Sequence, residues 1–300
     1  MNCWLACAGD AVGRDAMVGM VAPAIAHLHQ LNYLDLELAS SCPLKECAQS
    51  LSAALLGTPQ LTSLRLGVGA ITDTPASILA PALGSLHELE CLELTYSTIT
   101  ELGAAGLAKG LGLLTVATKL VLQQSCARAT GAPEALGAAD RTAALAPAIA
   151  HLTSLQHLCM EGLNMTVEGA QEIANTLFDL GELRVLLLSS NTICDDGMEA
   201  LAEPISCLLE LERLELTDCR IGDRGAMSLA SSLAACSKIR WVELNSNSIG
   251  DRGALALANA LSGSRCVERL DIRCNEVVNT DVPFLQQPWI LGDDYHACEV

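Results

Sequence analysis

Aromatic residues are nearly missing from this 300-residue chain: three Trp, three Tyr and two Phe make up 3%, although 51% of its residues are apolar. The core must therefore be built from Leu, Ala, Val and Ile, with Ala and Gly small enough to let helices approach a sheet closely. Lysine is as scarce, at four (Lys45, Lys109, Lys119 and Lys238). Acids outnumber bases 35 to 17, for a formal charge of −18. Such a field repels nucleic-acid phosphates and anionic membrane surfaces, and it speeds encounter with a basic partner. No run reaches the 18 apolar residues that a membrane span requires, and Met1 to Gly9 has neither the basic region nor the apolar length of a signal peptide. Fourteen cysteines are present but no Cys-x-x-Cys. Cys159, Cys207, Cys219 and Cys236 are irregularly placed, and a chain of this length needs no staples. Reduced thiols in a cytoplasmic or nuclear protein are expected, several serving as small core hydrophobes.

The signatures of catalysis are missing too. No lysine lies between Gly and Ser or Thr as in a phosphate-binding loop. There is no His-Glu-x-x-His, no Gly-x-Ser-x-Gly and no Cys/His cluster at zinc spacing. His157 and Cys159 stand two apart on one strand and point to the same side, but no third group is visible to orient them. Neither an enzyme nor a cofactor or metal site is expected.

What the chain does have is a period. The pattern apolar-x-x-apolar-x-apolar begins at Leu31, Leu61, Leu89, Ala117, Leu155, Leu183, Leu211, Ile239 and Val267, in steps of 30, 28, 28, 38, 28, 28, 28 and 28 residues. A fixed period of this length marks a stack of repeats, each burying its apolar face against the next. In the unit from Leu211 to Lys238, Leu211, Leu214 and Leu216 have the alternation of a short strand with one buried face. Cys219 stands where other repeats carry Asn191, Asn247 or Asn275, a position suited to bonding neighbouring loop backbone. Ile221 then plugs the core and Asp223-Arg224-Gly225-Ala226 opens a helix, whose free N–H groups favour the aspartate. Leu229 and Leu233 lie on the inner face of that helix.

Ile193-x-Asp195-x-Gly197, Ile221-x-Asp223-x-Gly225-Ala226 and Ile249-x-Asp251-x-Gly253-Ala254 are close copies; Ile71-x-Asp73 and Ile99-x-Glu101-x-Gly103-Ala104 are looser ones. On these residues the chain resembles leucine-rich repeats of the ribonuclease-inhibitor type, similar to the repeat domains of NOD-like receptors and Ran GTPase-activating proteins. The resemblance implies an α/β fold: a right-handed horseshoe solenoid with parallel strands on its concave face and helices on its convex face. The expected organisation is a partial repeat over 1–30, nine repeats over 31–276 and a capping segment over 277–300.

The period breaks in three places. The first repeat has two extra residues around Ser40 to Glu46. The fourth is longer by ten, inserted within about 123–140, a small and polar stretch expected to project as a loop from the strand-end rim. At the N-terminus, Val12 to Met17 echoes Ile221 to Met227, and Val21 to Leu28 nearly duplicates Leu145 to Leu152. The chain thus opens inside a repeat without a polar cap, which points to a larger parent chain or a self-associating end. Beyond Val277, the apolar Pro283, Phe284, Leu285, Trp289 and Ile290 are expected to fold over the last repeat. Pro23, Pro81, Pro147 and Pro204 would shorten or kink the helices.

Strand residues between the apolar positions face away from the core. On the C-terminal part of this wall stand Arg213, Trp241, Arg269 and Arg273 with Glu215, Glu243 and Asp271, residue types common in binding hot spots. His157, Val185 and Leu187 precede them. The charges are expected to neutralise one another across strands, at about one kcal/mol or less per pair, and Trp241 to contact a partner or to lie under Arg213 or Arg269. These positions (Arg213, Glu215, Trp241, Glu243, Arg269, Asp271, Arg273, His157 and Leu187) form the candidate site of a scaffold for a protein partner, a basic one on grounds of charge. The resemblance to Ran GTPase-activating proteins implies the alternative, a regulator of a small GTPase, although the long acidic tail of that family has no counterpart here.

Overall fold

A computed structural model describes residues 2–6, 22–28, 30–38, 44–68, 72–96, 99–124, 140–278 and 287–291. The chain divides into two compact units, Met1–Leu155 and Gln156–Val300. Each is an α/β array in which parallel strands alternate with helices.

In the first unit the strands are β1 (Asn2–Ala6), β2 (Tyr33–Leu38), β3 (Ser63–Val68), β4 (Cys91–Tyr96) and β5 (Lys119–Gln124). A helical turn at 22–26 precedes β2. Helices α1 (Leu44–Leu56), α2 (Asp73–Gly84) and α3 (Glu101–Leu111) join the later strands, and α4 (Thr142–Ile149) follows β5. Equivalent residues of successive repeats pair directly: Tyr33 with Ser63, Ser63 with Cys91, Cys91 with Lys119. The two extra residues of the first repeat leave this register intact. The chain connecting β2 to α1, where they fall, is largely outside the described residues, as are 125–139 of the fourth-repeat insertion.

The second unit repeats the scheme with β6 (His157–Glu161), α5 (Val167–Leu177), β7 (Val185–Leu187), α6 (Cys194–Cys207), β8 (Arg213–Glu215), α7 (Asp223–Leu233), β9 (Trp241–Glu243), α8 (Asp251–Leu261), β10 (Arg269–Asp271) and β11 (Ile290–Leu291). Its register is equally regular, with Val185 opposite Arg213, Arg213 opposite Trp241 and Trp241 opposite Arg269. Each of the nine triplets forms a strand, β2 to β10, and β1 and β11 are additional. The C-terminal segment supplies β11, which pairs Ile290 with Leu270; Ile290 is buried. Pro283, Phe284 and Leu285 lie outside the described residues.

The core of each unit lies between sheet and helices. Leu34, Leu64, Leu92 and Leu120 in the first unit and Leu158, Leu186, Leu214 and Leu270 in the second are all 0% exposed, each contributing about 1.5–3 kcal/mol relative to an exposed side chain. Helices pack closely where small residues allow it: a Cβ at Gly110 of α3 would stand 2.1 Å from the Ala80 carbonyl oxygen of α2. Pro81, Pro147 and Pro204 each sit in a last helical turn, and their helices end two or three residues later.

Two devices tie neighbouring repeats together. Asn247 is buried; its Oδ1 accepts the N–H groups of Cys219 (2.9 Å) and Ile221 (3.0 Å), while its Nδ2 donates to the carbonyls of Leu216 (2.7 Å) and Leu244 (2.9 Å). Asn191 and Asn275 make equivalent bonds. The second device departs from expectation. The helix-start aspartates cap the helix of the following repeat rather than their own. Asp195 Oδ1 accepts from Gly222 N (2.7 Å) and Gly225 N (2.9 Å), and Asp223 Oδ1 from Gly250 N (2.9 Å) and Gly253 N (2.7 Å). Gly222 and Gly250 are N-cap residues with no capping side chain, so the preceding repeat satisfies donors that the helix itself leaves orphaned.

Of the cysteines, Cys47, Cys159, Cys219 and Cys236 are buried thiols outside any disulfide, as expected of small core hydrophobes. Cys274 departs from the expectation of reduced thiols throughout: it is disulfide-bonded.

Candidate partner-binding face

All nine candidate residues fall in the second unit, on the sheet face opposite the helices or just beyond it. The alternation of part-exposed and buried residues along β7, β8 and β9 turns Leu186, Leu214 and Val242 inward and leaves their neighbours half exposed. In-register pairing arranges those neighbours in rows, with adjacent strands about 4.8 Å apart. One row runs His157, Val185, Arg213, Trp241, Arg269. The next runs Cys159, Leu187, Glu215, Glu243, Asp271. Arg273 lies just past β10.

The charged residues do neutralise one another. Asp271, 1% exposed in its side chain, is gripped by Arg269 Nη2 (2.7 Å) and by Arg273 through Nε (2.9 Å) and Nη2 (2.6 Å). Burial alone would push this carboxyl up; the two guanidinium groups outweigh it and hold the group below the usual aspartate range. Its contribution to stability is therefore present at neutral pH and lost on acidification through that lowered value. Arg269 is not fully satisfied, since its Nε is buried without a partner.

Arg213 holds Glu215 through Nε (2.5 Å) and Nη2, and the same Nη2 lies 3.3 Å from Glu243. Here the sign reverses. Burial raises the Glu215 carboxyl, Arg213 opposes this, and Glu243 adds to it, leaving the group above the ordinary glutamate range. A carboxyl raised in the fold destabilises the fold while charged, and the penalty disappears as pH falls through its folded value. Glu215→Gln, with Arg213 still beside Glu243, is accordingly expected to leave stability at pH 7 unchanged or higher by up to about 1 kcal/mol. The gain should vanish near pH 4. Urea unfolding at both pH values checks this, and a clear loss of stability at pH 7 would refute it.

Trp241 lies under a cation, but neither Arg213 nor Arg269 supplies it. Arg240, the preceding residue, sits 4.8 Å above the ring centroid. Its guanidinium also bonds Glu268, Nε to Oε1 at 2.9 Å. Arg240 belongs to a flanking row that the wall residues did not reveal: Arg184, Glu212, Arg240 and Glu268, spaced at 28 residues and alternating in sign, with ion pairs Arg184–Glu212 and Arg240–Glu268. The spacing itself was a signal available in the sequence.

His157 is half-buried opposite Val185, and Cys159 is 3% exposed. That burial removes the cysteine from contact with any substrate. Val185, Leu187 and Trp241 are the outward apolar groups on this face, only part-buried. Among the described residues no cluster of His, Cys, Asp or Glu could hold a metal ion, and no helix is long and apolar enough to cross a membrane.

Residues 183–202, 211–230 and 235–258 match the family model described as Leucine Rich repeat. These segments are similar to leucine-rich repeats. They include β7, β8 and β9, the strands that carry Leu187, Glu215 and Trp241. No curated protein matches the chain. Solved structures similar to it include internalin C2 of Listeria monocytogenes, at 20% identity over 81% of this chain and 84% of that one, TM-score 0.49. An internalin F of the same organism matches at 19% identity, covering 91% and 82%, TM-score 0.39. The Arabidopsis receptor kinase HAESA, solved with the peptide hormone IDA and the co-receptor SERK1, matches at 17% identity over 84% of this chain and 35% of its own, TM-score 0.46. Likeness at this level says nothing of what the present chain binds, and neither the ribonuclease-inhibitor subtype nor activation of a small GTPase gains support from it.

Proposed function

We propose that this chain is a non-catalytic recognition scaffold that binds a protein partner on the outward sheet face of β7 to β10. Leucine-rich repeats generally serve as protein-interaction scaffolds. The observation that carries the reading is the part-exposed apolar groups Val185 and Leu187 of β7 and Trp241 of β9, on either side of the ion-paired Arg213 and Glu215 of β8, on a face where a solvated strand would carry polar groups. Burial of these side chains supplies affinity, and the fixed charges around them supply orientation.

The ion pairs decide which residues to test. Arg269 neutralises the buried Asp271, so its removal would disturb the fold as well as the surface; Leu187 and Trp241 carry no such burden. Leu187→Asp combined with Trp241→Ala is expected to weaken partner binding by tenfold or more, roughly 1.4 kcal/mol. The far-ultraviolet circular dichroism spectrum should not change. Pull-down with wild type and double variant side by side identifies the partner, and calorimetry on it gives the affinity. Equal affinity of the two proteins would move the site off this face.

A further inference from the structure

Acid exceeds base on the outward face of β8 and β9. Glu215 and Glu243 pair across these strands and share Arg213, which grips Glu215 closely and meets Glu243 through one contact of 3.3 Å. The other wall arginines, Arg269 and Arg273, bond Asp271. Two carboxylates thus share one guanidinium, and both are largely shielded from water, at 13% and 21% side-chain exposure. Leu187 stands opposite Glu215 and Val185 opposite Arg213; Trp241 lies two residues from Glu243 on the same side of β9.

We propose that this face receives a basic, apolar segment of a protein: an arginine or lysine side chain seated between Glu215 and Glu243, and an adjoining large apolar side chain laid against Leu187 and Val185. The inference rests on the scaffold reading above and adds the chemistry of the occupant. An arriving cation would give the two poorly hydrated carboxylates a second positive partner beside Arg213, where an ion pair is worth more than at an exposed rim. An acidic segment would meet like charge there, and the chain's net charge of −18 favours cationic partners at long range.

Selection of a displayed library of random peptides on the purified chain tests this. Wild type should enrich sequences with Arg or Lys next to Leu, Met, Phe or Trp. The best peptide, synthesised and titrated, should bind the Glu215→Gln/Glu243→Gln variant about tenfold more weakly. Its Arg→Gln analogue should bind wild type and variant alike. Enrichment of neutral or acidic peptides, equal binding of the basic peptide to both proteins, or no enrichment would overturn the proposal. Neutral apolar peptides whose binding is lost in Leu187→Asp would overturn the charge inference and leave the scaffold reading standing. Peptides indifferent to every one of these substitutions would remove both.

Discussion

Asn247→Ala is expected to cost about 3–5 kcal/mol of unfolding free energy, from the side chain's four short hydrogen bonds and its burial. The substitution orphans the N–H groups of Cys219 and Ile221 and the carbonyl of Leu216, and leaves the Leu244 carbonyl with its bond from Asn275 Nδ2, in loops where water has little access. An experiment of opposite sign comes with it. Cys219 occupies the same position one repeat earlier and bonds the carbonyls of Leu188 (3.3 Å) and Thr217 (3.5 Å) through sulfur. Burial pushes this thiol up to about 12, the backbone N–H groups of Asn191 and Ser190 offsetting it only in part. Sulfur is a weak acceptor, so Cys219→Asn, which supplies an amide oxygen to those donors, should stabilise the chain by about 1 kcal/mol. Urea unfolding of the two variants measures both. Loss of stability in each would mean that the backbone around residue 219 has closed on the smaller side chain.

The contrast between residues 219 and 247 shows what the sequence made legible and what it did not. The strands followed from the apolar triplets, because a strand's buried face is written in residues two apart. β1 escaped because only Cys3 and Leu5 fall at triplet positions there, and the first position would precede Met1. The same alternation turns the residues flanking Leu186, Leu214 and Val242 outward, but it does not give their chemistry. Which arginine meets which carboxylate depends on rotamers and on neighbours 28 residues away, so Arg240 over Trp241 and the sharing of Arg213 became visible only in three dimensions. The same holds for backbone geometry. Gly162, Ser190, Asp218, Ser246 and Cys274 all adopt positive φ, between 54° and 67°, at a strict 28-residue interval. Only the first is glycine, so residue type gives no sign of the left-handed turn that follows each of β6 to β10.

The aspartate ladder is the other place where local reading misled, and it gives the second large effect. An aspartate in a first helical turn is explained by its own helix's dipole, but Asp223 reaches the next helix. The motif's glycine is explained by the same contact. A Cβ at Gly253 would lie 2.8 Å from Asp223 Oδ1, 2.8 Å from Ala226 Cβ and 2.9 Å from Ile249 Cγ2. Aspartate and glycine are thus two halves of one joint, repeated at Asp195 with Gly225 and at Asp73 with Gly103. Gly253→Val is expected to destabilise by about 2–3 kcal/mol, because two of the three contacts are made by side chains anchored close to the backbone. Asp223→Ala should cost about 1–3 kcal/mol through two orphaned N–H groups. Combined, the two should cost less than their sum, since without the carboxylate the valine loses one of its clashes. Strict additivity in urea unfolding would separate the glycine from the aspartate and sink the joint. In an array stabilised by contacts between neighbours, a variant that opens this joint loosens β9–α7 from α8, next to the strands that carry Glu215, Trp241 and Glu243. Partner affinity should then fall together with stability in Asp223→Ala, whereas Leu187→Asp lowers affinity alone.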